Sequence, residues 1–247
     1  MERRYARPPI VEAACELLLP PDSKWDMTIP GLIYEKVKGT FPNREQQAIP
    51  KFEVTQETSR EIRPRIRTEE RIFLYDAEKK TSLQLGPRLL SVSRRKPYIS
   101  WDSFRPLIEL ASKALLETVE FKNFAKVSLS YSNLIEVPGS EAQMEDFFEF
   151  RPHLGAGLPQ NMASFIVGVE LPRVDLRDVC RITLTSARPT KPGNMGFLLT
   201  LEYYLLRSKA VDTNAIMEWV DAAHADIQGA FEAILTPRLR ELFGEVS

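Results

Sequence analysis

The chain has 247 residues and a mass of 28.2 kDa, with 43% hydrophobic and 27% charged residues. That composition is ordinary for a folded protein, and 33 Lys and Arg against 34 Asp and Glu argue against a protein that binds nucleic acid over its whole surface, while a local basic patch stays open. Two cysteines, Cys15 and Cys180, and two histidines, His153 and His224, exclude a disulfide framework and leave little for a Cys- or His-based metal site.

Residues 10–19 (IVEAACELLL) alternate, with Val11, Ala13, Cys15, Leu17 and Leu19 on one face and Glu12 and Glu16 on the other. Pro8-Pro9 and Pro20-Pro21 bracket the run, so it predicts a strand, although its Glu, Ala and Leu would also suit a helix. The two glutamates interrupt the run too early for a signal peptide. No stretch approaches the roughly 20 apolar residues that cross a bilayer. The expectation is a cytoplasmic protein with reduced thiols.

Residues 29–41 predict a short helix, with Pro30 at its first position and Ile29, Leu32, Ile33, Lys36 and Val37 as its stripe. Strands are predicted over 52–57, 60–67, 70–76 and 81–93, the last interrupted at Gly86-Pro87. Residues 101–119 predict a long helix, with Ser100 or Asp102 as its cap. A strand follows over 124–137, then a short acidic helix over 141–150. Three more strands are predicted over 164–174, 179–187 and 196–207, the last apolar enough for burial on both faces. A second long helix begins near Thr213, and Thr236-Pro237 starts a separate terminal turn.

The same element order therefore occurs twice, over 1–122 and 123–247. The fold class is α+β: two similar β-α-β(3-4)-α halves, mainly antiparallel, with helices on one face, packed as one unit. A pseudo-twofold internal repeat is one explanation; the other is that any α+β domain can be cut into two similar halves.

No P-loop, dinucleotide fingerprint, nucleophile elbow, zinc-protease or kinase signature is present in the sequence. No cofactor, metal or catalytic residue is expected. His224 sits at the edge of the second long helix's apolar stripe. It is read either as a polar handle in a groove between the halves or as a helix histidine bonded to a neighbour at the core margin. His153 reads as surface decoration in a Pro/Gly loop, and Cys15 and Cys180 as core residues.

Residues 60–96 hold eleven Lys and Arg against five Asp and Glu, while the rest of the chain holds 22 against 29. Arg63, Arg65 and Arg67 alternate along one strand face, about 6.6 Å apart, as a phosphate track would require. Arg94, Arg95 and Lys96 close the segment. The alternatives are a solvated outer face and a partner with an acidic surface.

The opening Tyr5, Pro8-Pro9-Ile10-Val11-Glu12-Ala13 and Cys15-Glu16, the Trp25-Asp26, Pro30-Gly31 and Phe41-Pro42 run, Lys96-Pro97-Tyr98 with Trp101 and Phe104, and Ala223-His224, Phe231-Glu232 and Phe243 together resemble a family. It is a sporadically distributed bacterial family of proteins about this long, with a PPIVEA-type N-terminus and no established activity. The resemblance implies no catalytic residues. A patchy distribution of this kind implies mobile elements, toxin–antitoxin pairs or anti-phage defence loci. One departure is Leu129-Ser130-Tyr131-Ser132-Asn133, where the resemblance leads us to expect an arginine before the tyrosine.

The functional expectation is a non-enzymatic binding or adaptor protein acting with a protein partner, as an accessory subunit of such a locus. Its binding residues would be drawn from Arg63, Arg65, Arg67, Arg94, Arg95, Lys96 and His224. The alternatives are a nucleic-acid binder using 60–96, or a hydrolase or nuclease of unfamiliar type with His224 in its site. A homo-oligomer stays open, and no membrane association is expected.

Overall fold

The computed structural model describes residues 4–246 apart from 57–61, 99, 140–142, 161 and 174–175, and of 51–56 and 62–67 the backbone alone. In chain order the first elements are β1 (Arg4–Tyr5), β2 (Ile10–Leu18), α1 (Ile29–Val37), β3 (Asn43–Gln56) and β4 (Ile62–Tyr75). Next come β5 (Thr81–Gly86), β6 (Leu89–Arg95), α2 (Trp101–Leu116), β7 (Lys126–Pro138) and β8 (Ile166–Pro172). The chain continues through β9 (Asp178–Ala187), β10 (Asn194–Leu205), α3 (Ile216–Ile234), α4 (Pro237–Phe243) and β11 (Glu245–Val246).

The fold is α+β, with four helices among the described residues. Nine strands make one antiparallel sheet in the order β3-β4-β5-β6-β2-β7-β10-β9-β8. The remaining pair, β1 and β11, forms a separate two-stranded ribbon. No described helix is long and apolar enough to cross a membrane.

Strand alternation builds the core. Ala13, Cys15 and Leu17 of β2 are buried, and their neighbours across the ladder, Tyr131, Leu129 and Val127 of β7, are buried with them. On the far side of β7, Leu201 opposes Tyr131 and Tyr203 opposes Leu129. Helices α2 and α3 pack on the sheet through Phe104, Ile108, Trp219, Val220 and Ala223. The other sheet face carries small polar residues, including Ser91, Ser93, Ser128, Ser130, Ser132 and Thr200, most of them half-buried. Both cysteines lie in the core, and burial pushes the Cys15 thiol up to about 12 and the Cys180 thiol up to about 11.

Several expectations need correction. The 60–67 and 70–76 strands are one strand, β4, which pairs along its full length with β3. Strand β3 starts at Asn43, nine residues before the predicted strand at 52, because its first half (NREQQAIP) is an edge segment with no buried face to impose alternation. Its Pro50 is tolerated at such an edge. The break expected at Gly86-Pro87 is present and divides 81–93 into the β5–β6 hairpin. The acidic helix expected over 141–150 is, where described, a single 3-10 turn at Met144–Asp146. The buried Phe147 and Phe148 and the bridge from Phe148 to Leu235 hold this segment against the start of α4. Strand β10 lies mid-sheet but is not buried on both faces: Phe197, Leu199, Leu201 and Tyr203 are buried while Leu198, Thr200 and Glu202 are half-buried.

Candidate functional site

A cavity of about 470 Å³ opens over β2, β7 and β10 at the middle of the sheet. Its floor is Ile10 of β2, Tyr131 and Asn133 of β7 and Leu201 of β10. One wall is the start of α2 with Tyr98, Ser100, Trp101 and Asp102. The facing wall is α3, and Arg4, Tyr5 and Pro8 close the remaining side.

Local sequence places each group. Ser100 caps α2 in a reciprocal capping box with Ser103, which fixes Trp101 as the first helical residue. On α3, His224, Ile227, Gln228, Phe231 and Glu232 follow the i, i+3, i+4, i+7, i+8 spacing and so share one face. Tyr131 and Asn133 point the same way from β7, two residues apart.

A polar chain runs through the cavity lining. The Tyr98 hydroxyl lies 3.3 Å from the Tyr131 hydroxyl, which lies 3.0 Å from Nδ1 of His224. The Trp101 ring stacks on the His224 imidazole at 4.0 Å between centroids and 7° between planes. Tyr98 meets Tyr131 edge-on at 5.7 Å. Asn133, 1% exposed, donates from Nδ2 to the Leu199 carbonyl at 3.2 Å. At the far end the Tyr5 hydroxyl donates to both oxygens of Glu232, at 2.8 and 3.0 Å. Burial first, then Glu232, pushes the Tyr5 hydroxyl up to about 12. Tyr5 also packs edge-on against Phe231 and Phe243. The segment after it pairs with the end of α4, Ala6 N–H donating to Gly244 O at 2.8 Å. Gly244 takes a positive φ of 69° to turn the chain there.

The arrangement places hydrogen-bonding hydroxyl, imidazole, amide and carboxylate groups around aromatic and aliphatic surface. That mixture suits a ring compound with an apolar body and polar substituents. Among the described residues no group of three or more His, Cys, Asp and Glu could hold a metal ion.

His224 is bonded to Tyr131 at the core margin and lines the cavity. The structure does not gather the basic residues around it. Arg63, Arg65 and Arg67 lie in β4 opposite Thr55, Glu53 and Lys51 of β3, and their side chains fall outside the described residues. Arg94 opposes Ala13 and Arg95 opposes Glu12, so the two arginines leave β6 on opposite faces. Arg94 donates to the Thr81 hydroxyl at 3.3 Å, with its Nε buried. Arg95 is 3.8 Å from Glu12. Lys96 follows β6, its N–H bonded to Val11 O. Tyr75, beside this group through Ser82, is eight residues along β4 from Arg67, about 27 Å. The basic segment thus divides between two ends of a long hairpin. His153 sits in the loop after Arg151.

Sequence reasoning missed Tyr5, Tyr98, Trp101, Tyr131, Asn133 and Glu232 as lining groups. One signal was present on α3: His224, Gln228 and Glu232 recur every four residues inside an apolar stripe. No family model and no curated protein matches the chain.

Proposed function

We propose that this is a non-enzymatic binding protein that takes a small aromatic or alicyclic compound, bearing polar substituents, in the cavity between α2, α3 and the middle of the sheet. The observation that carries the reading is the Tyr98–Tyr131–His224 chain, backed by the stacked Trp101 and opening into a space of ligand size. Such hydroxyls and an imidazole, already oriented by their neighbours, recognise polar substituents at low entropic cost. The protein partner expected from the sequence belongs to the same proposal. Tyr5 and Glu232 link the cavity to the β1–β11 ribbon, so an occupied cavity would be read from outside at that ribbon.

The internal repeat also belongs here. Its support is the strand order. In each half the first strand, β2 or β7, lies beside the last, β6 or β10, and the others follow in reverse. A long helix follows the last strand in both. The halves meet antiparallel at β2–β7, beside the cavity.

The test is untargeted mass spectrometry of small molecules released by denaturing the protein purified from a bacterial host. The expected result is a ring compound at near-stoichiometric yield from wild type and none from Leu201→Trp, a variant that fills the cavity floor. Wild type and variant yielding the same trace profile would overturn the reading.

A further inference from the structure

The two edges of the sheet differ in how they are protected. Strand β3 carries Pro50 and, over 43–47, a run of charged and amide side chains. Strand β8 reads Ile-Val-Gly-Val-Glu-Leu-Pro, with one charge and no lysine. Ile166 is 76% exposed, Val169 37% and Leu171 38%. Among the described residues no strand pairs on the outer side of β8.

The register shows which groups face outward. The Arg173 N–H donates to Asp178 O at 2.9 Å and the Ser186 N–H to Phe165 O at 3.1 Å. Phe165 and Arg173 are therefore hydrogen-bonded positions against β9, and so by alternation are Val167, Val169 and Leu171. The N–H and C=O groups of Ile166, Gly168 and Glu170 then point away from β9, along with the C=O of Pro172. Proline, which has no N–H, sits where an outward donor would be lost at the end of the strand.

We infer that β8 is a pairing edge and that its occupant is β8 of a second copy of this chain, antiparallel about a twofold axis at Gly168. Three observations select a second copy. The strand is nearly symmetric about Gly168, with Val167 and Val169 flanking it, so each valine meets its counterpart across the axis. This register pairs every outward N–H, Ile166 with Glu170 and Gly168 with itself, and leaves Pro172 opposite Ser164 without needing a donor from it. Its single charge meets no like charge: Glu170 faces Ile166 and is already bound on its own chain by Arg181, at 2.6 and 2.9 Å. The pairing would join two sheets into one continuous sheet, and it is independent of the cavity.

The test is the solution mass by light scattering, with a charge swap at Ile166. Wild type is expected at about twice the 28.2 kDa of one chain. Ile166→Glu places a glutamate opposite Glu170 of the second copy, twice per dimer, and raises the dissociation constant by about tenfold or more. Ile166→Lys, equally exposed and equally disruptive to a merely local role, keeps the dimer. Gly168→Pro removes an outward N–H and no bond to β9, and gives a monomer with the thermal midpoint of wild type diluted until it dissociates. A monomeric wild type, with or without a foreign extended peptide bound at β8, overturns the inference, as does a lysine variant that dissociates like the glutamate one.

Discussion

Helix α3 carries two clusters built from similar parts, and they do different work. Near its start, Trp219 donates from Nε1 to Asp178 at 3.0 Å, and the Tyr203 hydroxyl donates to the same carboxylate at 3.2 Å. Asp178 is 2% exposed and is also bound by Arg177 at 2.6 Å. Burial, then the Asp178 charge, pushes the Tyr203 hydroxyl well above its ordinary range. Five residues further on, His224 meets Tyr131 and Trp101 at the cavity. Both clusters combine an indole, a phenol and an ionisable group. The first is closed and joins α3 to β9. The second faces an open space. Burial of the whole cluster, rather than its residue types, separates a structural joint from a candidate site.

The largest effect that would sharpen this contrast is expected at the closed cluster. Asp178→Ala leaves the indole N–H and the Tyr203 hydroxyl buried without their acceptor, and we expect a loss of about 3 kcal/mol or more in urea unfolding. Trp219→Phe keeps an aromatic ring but removes the donor and some volume, for a loss of about 1–2 kcal/mol in the same measurement. At the open cluster, His224→Ala is expected to cost about 1 kcal/mol or less while abolishing retention of the co-purifying compound. A cost there as large as that of Asp178→Ala would erase the distinction between the two clusters.

The smallest effect is local and pH-dependent. Glu136 accepts from the Thr190 hydroxyl and from the Thr190 and Lys191 N–H groups, holding the turn that joins β9 to β10. The Thr190 hydroxyl first, then its N–H, holds the Glu136 carboxyl down to about 2 from an ordinary 4.5. A lowered folded value means the clamp is intact above pH 4.5 and weakens as pH falls toward 2. The protection of the Thr190 and Lys191 amides, taken relative to their intrinsic exchange rates at each pH, should therefore fall across that window in wild type and stay flat in Glu136→Gln.

Much of the architecture was legible where a buried face imposed a period. Strand β2, helices α1 to α4 and the β8–β9–β10 meander follow their predicted positions because one side of each meets the core or because a proline fixes an end, as at Thr236-Pro237. Strand β3 was hidden because nothing buries its first half. The site was legible only through His224. Tyr131 and Tyr98 read as ordinary strand and loop aromatics, since their meeting depends on β6, β7 and α3 converging from positions far apart in sequence. The Arg173–Asp226 and Arg105–Asp221 pairs that fix α3 from both sides are likewise invisible to local pattern.

The two cysteines have a practical consequence. A thiol attacks an electrophile as its thiolate, and burial keeps Cys15 and Cys180 protonated at neutral pH as well as out of reach. The native fold is therefore silent toward maleimides and resists oxidation at sulfur. A single cysteine introduced at Ile166 or Gln228 would carry the whole labelling signal, so one unmodified background serves to place a probe at the sheet edge or at the cavity. Loss of that silence, as labelling of Cys15, would in turn report opening of the sheet at its centre.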